Sequence, residues 1–436
     1  MTSGSFEATE SFALTMDARD SLANYRERFC FPKTEDGEDC IYLCGHSLGL
    51  QPKTARASIE QALNDWAELG VEAHFSAPNP WMPYHRLLAQ QTASLVGARP
   101  EEVVVMNSLT VNLHLMMVSF YRPTSQRHKV LIEQGAFPSD QYAVQSQISF
   151  HGFTPVTSLL ELAPRAGESC IRDEDILSLI DREGDSIALI LLGGVNYATG
   201  QAFDIAGITK AGHKRGCVVG FDLAHAAGNL PLHLHDWGPD FAVWCSYKYL
   251  NGGPGCAGGC FVHDRHARAW RIPRFAGWWG HDERVRFQMA PNFQPMTGAE
   301  GWQISNPSVL SLAALRASMD IFHEAGMERL RSKSVSLTSY LEFLLSQHAS
   351  PRFSVITPTD TKRRGAQISI RILINGRSLC EELSKSGIIG DWREPDTFRV
   401  APVPLYNSYL DVFRFVQKFA AALSCRAKTG DSRLPP

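Results

Sequence analysis

The chain has 436 residues, 44% of them hydrophobic, enough for one large domain with a sizeable core and a smaller domain beside it. Its 42 basic and 45 acidic side chains leave a net charge of -3, so no global field draws it to nucleic acid or an anionic membrane, and a small-molecule partner is expected. No stretch approaches the roughly 18 uninterrupted apolar residues of a membrane span, and the N-terminal segment, with Glu7, Glu10, Asp17 and Asp20, lacks the apolar region of a signal peptide, which predicts a cytosolic protein.

Residues 1–50 read as an arm, with an amphipathic stretch over 18–29 followed by the loop CGHSLGLQP. The spacing over Thr54 to Leu69 predicts a helix that Gly70 closes. Strand and helix then alternate: a short apolar strand at Val103 to Met106, a helical run over Val111 to Tyr121, and a strand at Val130 to Glu133. Three apolar runs, Ser186 to Leu192, Cys217 to Phe221 and Phe241 to Cys245, show little alternation, which predicts strands covered on both faces. Asp204 to Arg215 supplies a crossover helix between the first two, and this arithmetic argues for a doubly wound, mostly parallel sheet. Residues 308–348 read as long and helical. A C-terminal α+β domain is expected from Gln367 to Ile374, Ser378 to Ser386 and a closing helix at Tyr409 to Ala427. The expected divisions are an arm at 1–50, a large domain at 51–310 and a bridging helix with the small domain at 311–436.

The ten cysteines are scattered and read as small apolar side chains rather than a disulfide or zinc framework. His233 and His235 lie near Asp236 but lack a third ligand at suitable spacing, so no metal is expected.

The segment CSYKYLNGGPGCAGG matches G-x-G-x-x-G at Gly253, Gly255 and Gly258. A dinucleotide fingerprint must follow a strand and open a helix. Here the chain continues as CFVH, another strand, so the glycines are read as a turn. Lys248, in the same segment, carries more weight. Asp222 ends the strand CVVGF, at the sheet edge where α/β proteins place ligand-binding groups, and His225 and Lys248 follow it. A lysine for a Schiff base and a carboxylate to keep a pyridine nitrogen protonated are what pyridoxal 5'-phosphate requires. Ser108 and Thr110, just before a helix, suit the cofactor's phosphate, and Phe137 in GAFPSD is an aromatic for its ring.

These residues fall within longer matching stretches: GHSLGLQP, MNSLTVNLHLMM, FPSD, FDLAHAAGN, YKYLNGGPG, GWWGH, ISNPSVL and RVAPVPLYNS. Through them the sequence resembles the kynureninases almost from end to end, with GWWGH and RVAPVPLYN the most specific. The resemblance implies a fold-type I, PLP-dependent transferase-like fold, a C–C hydrolase acting on kynurenine or its 3-hydroxy form, and a homodimer with shared active sites. It implies Lys248 as the Schiff-base lysine and α-proton base, Asp222 as the pyridinium partner, and His225 near the ring's oxygen side. Phe137 should stack on the ring, with Pro138 and Asp140 in the same cofactor motif. Leu109, Thr110, Ser139, Tyr247 and Trp278 should form the phosphate pocket, Tyr247 being also a candidate proton donor during cleavage. His74, Ser305 and Asn306 match positions near the substrate's aromatic ring, Asn306 also at the cofactor site, and Arg399 matches the arginine that grips the substrate carboxylate. Trp278 and Asn306 are expected from the partner subunit, and Trp279 as a core aromatic. Two positions depart from the pattern: His46 replaces an asparagine, and Gly193, where some relatives carry serine, offers only its backbone. Within the same fold, a cysteine desulfurase would need a reactive cysteine on a mobile loop, for which Cys380 is the candidate. A ligand-binding protein without turnover is the reading from a different class.

Overall fold

The apolar runs become strands because β-branched and aromatic residues fit a pleated surface that is covered on both sides. In a computed structural model, which describes residues 6–267 and 272–428, seven of them form the main sheet: β1 (Val103–Met106), β2 (Lys129–Glu133), β3 (Leu159–Leu162), β4 (Ile187–Gly193), β5 (Val218–Asp222), β6 (Phe241–Trp244) and β7 (Gly258–Val262), in the order β1-β7-β6-β5-β4-β2-β3. All pairings are parallel except those of β7, which is antiparallel to both β1 and β6. The predicted mostly parallel sheet is therefore present, with one reversed strand. That strand is the CFVH segment, so the glycines before it open a strand and not a helix.

Helices cover the sheet. Among them are α1 (Leu109–Phe120), α2 (Pro138–Phe150) and α3 (Ile205–Lys214), the last being the expected crossover. Leu113, Met116 and Met117 of α1 pack with Val130, Ile132, Leu189, Leu191, Phe241 and Val243 in one core. Each such side chain, taken from water, contributes about 1.5–3 kcal/mol. Cys260 is fully buried in this core, as its reading as an apolar side chain expects. Cys30, by contrast, is exposed.

The chain divides into two compact units. The larger holds Thr54–Tyr197 and Ala202–Glu324; the smaller holds Met1–Lys53, Ala198–Gln201 and Ala325–Pro436. The long helical segment is two helices, α4 (Val309–Ala325) and α5 (Met327–Gln347), because Gly326 has φ 77°, a left-handed conformation that no α-helix continues through. Most of α4 belongs to the larger unit, where Leu312, Ala313 and Leu315 are buried. In the smaller unit α6 (Gly376–Lys385) and α7 (Tyr409–Lys428) accompany a sheet of β8 (Phe353–Val355), β9 (Ile368–Ile372), β10 (Asp391–Arg393) and β11 (Thr397–Val400), in the order β8-β9-β11-β10. The amphipathic stretch over 18–29 resolves into a 3-10 helix at Ala23–Arg28, preceded by an α-helix at Glu10–Ala18 that Thr9 caps.

Candidate active site

The carboxyl ends of β2, β4 and β5 and the segment after β6 place a group of polar residues at one edge of the main sheet. Asp222 is the last residue of β5 and is buried; its Oδ1 accepts the backbone N–H of Ala224 at 2.7 Å. The turn at 224–229 carries buried His225, whose Nε2 lies 3.1 Å from the Nζ of Lys248. The same Nζ is 5.7 Å from the ring centre of Phe137 and 5.9 Å from that of Tyr247. Adjacent strand ends thus bring Asp222, His225 and Lys248 together, as the sequence spacing predicts.

Three carboxyl groups share this floor. Burial pushes Asp140 well above the usual carboxylate range, and the neighbouring Asp222 pushes it the same way. Burial also raises Asp222, while Lys248, the Ala224 N–H and Asp140 oppose the rise. Glu133, at the end of β2, is raised to about 7 by burial and takes the N–H of Gly193 at 3.2 Å. A Cβ on Gly193 would stand 3.0 Å from Glu133 Oε1, so this position's backbone donates where a side chain would crowd. Glu133 escaped the sequence reading, although an acidic residue ending the apolar run VLIE was a visible signal.

Two helix N-termini meet at a pair of hydroxyls. Thr110 in the first turn of α1 and Ser139 in the first turn of α2 have their hydroxyls 2.7 Å apart. Ser108, the N-cap of α1, makes no side-chain capping bond, so the helix does not consume its hydroxyl. Backbone N–H groups of first turns have no partner within their helices, and the dipoles add positive potential.

His74 and Asn306 line one cavity of about 290 Å³ together with Trp66, Trp81 and Trp279, none of it formed by Lys248 or Asp222. Ser305 and Asn306 are exposed, and Trp278 stands 46% exposed with the Arg286 guanidinium 5.7 Å from its ring. Trp279 is buried, as expected of a core aromatic. Arg399, in the smaller unit, is only 1% exposed. Its Nη2 pairs with Asp391, directly opposite across the β10–β11 ladder, and donates to Ser47 Oγ at 3.2 Å. His46 is fully buried with Nε2 3.9 Å from the same aspartate. Cys380 is half-buried within helix α6, which removes the mobile loop that a desulfurase reading needs.

His235 pairs with Glu102 at 3.0 Å rather than with His233, and His263 and Asp264 complete a group whose ligand atoms lie within 4.8 Å of one another. The group is a hydrogen-bonded knot: His263 Nδ1 accepts the Arg265 N–H at 3.2 Å, and the Glu102 oxygens accept those of Arg99 and Asp264 at 2.9 and 2.8 Å.

Comparison with known proteins bears on this geometry. The profile of the kynureninase C-terminal domain matches residues 330–419. The kynureninase of Koribacter versatilis is 68% identical over 97% of this chain and 100% of its own length. The chain belongs to the kynureninase family. The kynureninase of Myxococcus xanthus is 59% identical over 94% of the chain and 97% of its own. Among solved structures, the cysteine desulfurase CsdA from Escherichia coli has a TM-score of 0.75 at 18% identity, covering 93% of this chain and 99% of that one. A C-DES variant with glycine covalently linked to its PLP cofactor scores 0.74 at 17% identity, covering 91% and 98%. These two likenesses establish the fold. As a kynureninase, the protein is a hydrolase of carbon–carbon bonds that depends on pyridoxal 5'-phosphate. The donor set fits that cofactor: a lysine, a buried carboxylate at the end of β5, an exposed aromatic face, a hydroxyl pair at two helix N-termini, and a buried Asp140 Oδ1 with no hydrogen-bond partner among the described residues.

Proposed function

We propose that the enzyme hydrolyses L-3-hydroxykynurenine and L-kynurenine to 3-hydroxyanthranilate or anthranilate and L-alanine, as a cytoplasmic homodimer in tryptophan breakdown. The observation that carries this reading is the Lys248 amine 3.1 Å from His225 beside buried Asp222, in a chain 68% identical to a kynureninase over 97% of its length. Lys248 would hold the cofactor covalently through its amine, and the same amine is the group placed to move the substrate's α proton. When bound, the cofactor supplies an electron sink for charge developing next to the substrate's amino nitrogen. Asp222 would keep the ring nitrogen protonated by charge pairing, a role that its burial at the end of β5 and the neighbouring Lys248 amine support. Thr110, Ser139, Leu109 and Ser108 would hold the phosphate, and Phe137 would offer its ring face to the cofactor. Water adds to the γ-carbonyl, the β–γ bond breaks, and a proton returned to the β carbon completes alanine. Tyr247 is our candidate donor; burial pushes its phenol far up, so it holds its proton at neutral pH. Arg399 receives the substrate carboxylate, its buried guanidinium being oriented by Asp391 and Ser47.

His74, Ser305, Asn306 and Trp278 are assigned to the site through a second copy of the chain. In support, Trp66 and Phe75 beside His74 are 63% and 59% exposed, an apolar surface that association would cover. His74 Nδ1 donates to the Val71 carbonyl at 3.0 Å, which makes Nε2 the acceptor in the neutral ring. That atom suits a phenolic O–H, so the 3-hydroxy substrate is preferred; leaving the group unpaired against a plain ring costs about 1–3 kcal/mol. The test is turnover of both substrates by the purified enzyme, with alanine followed as product and the lysine adduct trapped by borohydride. An adduct at any residue other than Lys248, or sulfide release from cysteine in place of alanine formation, overturns the reading. Equal or better kcat/KM for plain kynurenine removes the hydroxyl preference alone.

A further inference from the structure

Strand β1 ends at Met106 and helix α1 begins at Leu109, so two residues turn the chain from sheet to helix. Asn107 does this in the left-handed region, with φ 47°, where side chains other than glycine are strained. Its neighbour Ser108 is extended, with φ -106° and ψ 166°. The strained conformation is held from three directions. The Asn107 Nδ2 donates to Asn112 Oδ1 at 3.0 Å, and Asn112, fully buried in α1, donates back to the Met106 carbonyl at 2.9 Å. The carbonyl of Asn107 accepts the N–H of Gly258, the first residue of reversed strand β7, at 2.7 Å. Asn112 N–H donates to the Ser108 carbonyl at 3.0 Å, the bond that starts the helix. A Cβ on Gly258 would sit 2.5 Å from the Trp244 carbonyl and 3.4 Å from Asn112 Nδ2, so the strand beside the turn has no room for a side chain.

Strain held in place by surrounding bonds is found where a site needs a fixed geometry. We propose that Asn107 is a positioning residue for the cofactor phosphate: its left-handed turn, locked through Asn112 and Gly258, aims the first N–H groups of α1 and the hydroxyl pair of Thr110 and Ser139 at one dianion. The proposal rests on the assignment of that hydroxyl pair to the phosphate. Asn107 touches neither cofactor nor substrate in this role; it acts through the backbone that follows it. Asparagine suits the position twice, tolerating the left-handed region better than most residues and supplying the amide that fastens the turn.

The test compares two ligands that differ only in the phosphate, pyridoxal 5'-phosphate and pyridoxal, by equilibrium dialysis against the cofactor-stripped full chain. Asn107→Ala keeps the strain and loses the amide, and is expected to weaken pyridoxal 5'-phosphate about tenfold while pyridoxal binds within about twofold of wild type. Asn107→Gly relieves the strain but also loses the amide, and should show a smaller selective loss. Equal weakening of both ligands, or of neither, overturns the proposal; should the alanine variant not fold, the glycine variant decides by the same criterion. Thr110→Ala combined with Ser139→Ala separates the two layers of the argument. If that double variant spares phosphate selectivity, the cradle assignment fails; if it destroys selectivity while Asn107→Ala does not, only the role of Asn107 fails.

Discussion

Two buried aspartates on neighbouring parts of the main sheet have opposite electrostatic fates. Asp240, just before β6, accepts Val219 N–H at 2.7 Å, His213 and His266 Nε2 at 2.9 and 2.8 Å, and Arg265 Nη2 at 2.8 Å. Although burial works against it, this ring of donors holds its carboxyl far below the usual range. Asp222, at the end of β5, has the Ala224 N–H, Asp140 and Lys248 to oppose burial, and its carboxyl is pushed up instead. The first region is closed on itself. The second remains short of positive charge until a protonated ring nitrogen arrives, which is the condition a cofactor floor must meet. A buried acid is thus marked as functional less by its burial than by an incomplete set of donors.

The contrast can be broken in several ways. Lys248→Ala removes the amine beside His225 that would hold the cofactor and should lower kcat about 10⁴-fold in steady-state turnover. Asp222→Asn should lower kcat about 10²–10³-fold, yet leave the urea midpoint of the cofactor-free protein unchanged or higher, because burial disfavours this carboxylate and its donors do not make up the cost. Asp240→Asn should do the reverse: a loss of about 3–5 kcal/mol in urea unfolding, with kcat per folded molecule retained. A large kcat loss in that variant, or a large stability loss in Asp222→Asn, would erase the distinction drawn between the two sites.

The smallest effect concerns pH. Glu133 titrates at about 7 when folded, above its unfolded value of about 4.3, so its contribution to stability is complete below about 4.3 and is lost as pH rises toward 7. Asp240, depressed when folded, contributes above its unfolded value of about 3.9 and loses that contribution as pH falls below it. Glu133→Gln should therefore flatten the slope of Tm against pH between about 4.3 and 7 in the cofactor-free enzyme, while Asp240→Asn flattens it only in the acid range. An unchanged slope in Glu133→Gln would show that this carboxyl does not titrate there.

Much of this arrangement was legible in the sequence. Unalternating apolar runs marked the parallel strands, and a charged residue at the end of such a run marked Asp222. The same rule, applied to VLIE, would have marked Glu133. The break at Gly326 was present as a lone glycine within a helical pattern, but hydrophobic spacing continues on both sides and hid it. The donors around Asp240 come from separate segments, which no local pattern reveals. Asn107 read only as a residue before a helix, because its conformation depends on Asn112 five positions on and on a strand roughly 150 residues away.

The reversed direction of β7 has a consequence for chain length. It enters the sheet from the rim where Lys248 leaves it, so the ten steps from Lys248 to Gly258 act as a ruler, pinned at one end by the bond from Gly252 N–H to the Ser246 carbonyl and at the other by Gly258 on Asn107. One residue inserted after Gly258 would slip the strand against both neighbours and turn Cys260 and Phe261 to opposite faces. The glycines that resemble a nucleotide loop thus serve as calibrated spacing between the amine and the turn ahead of the phosphate.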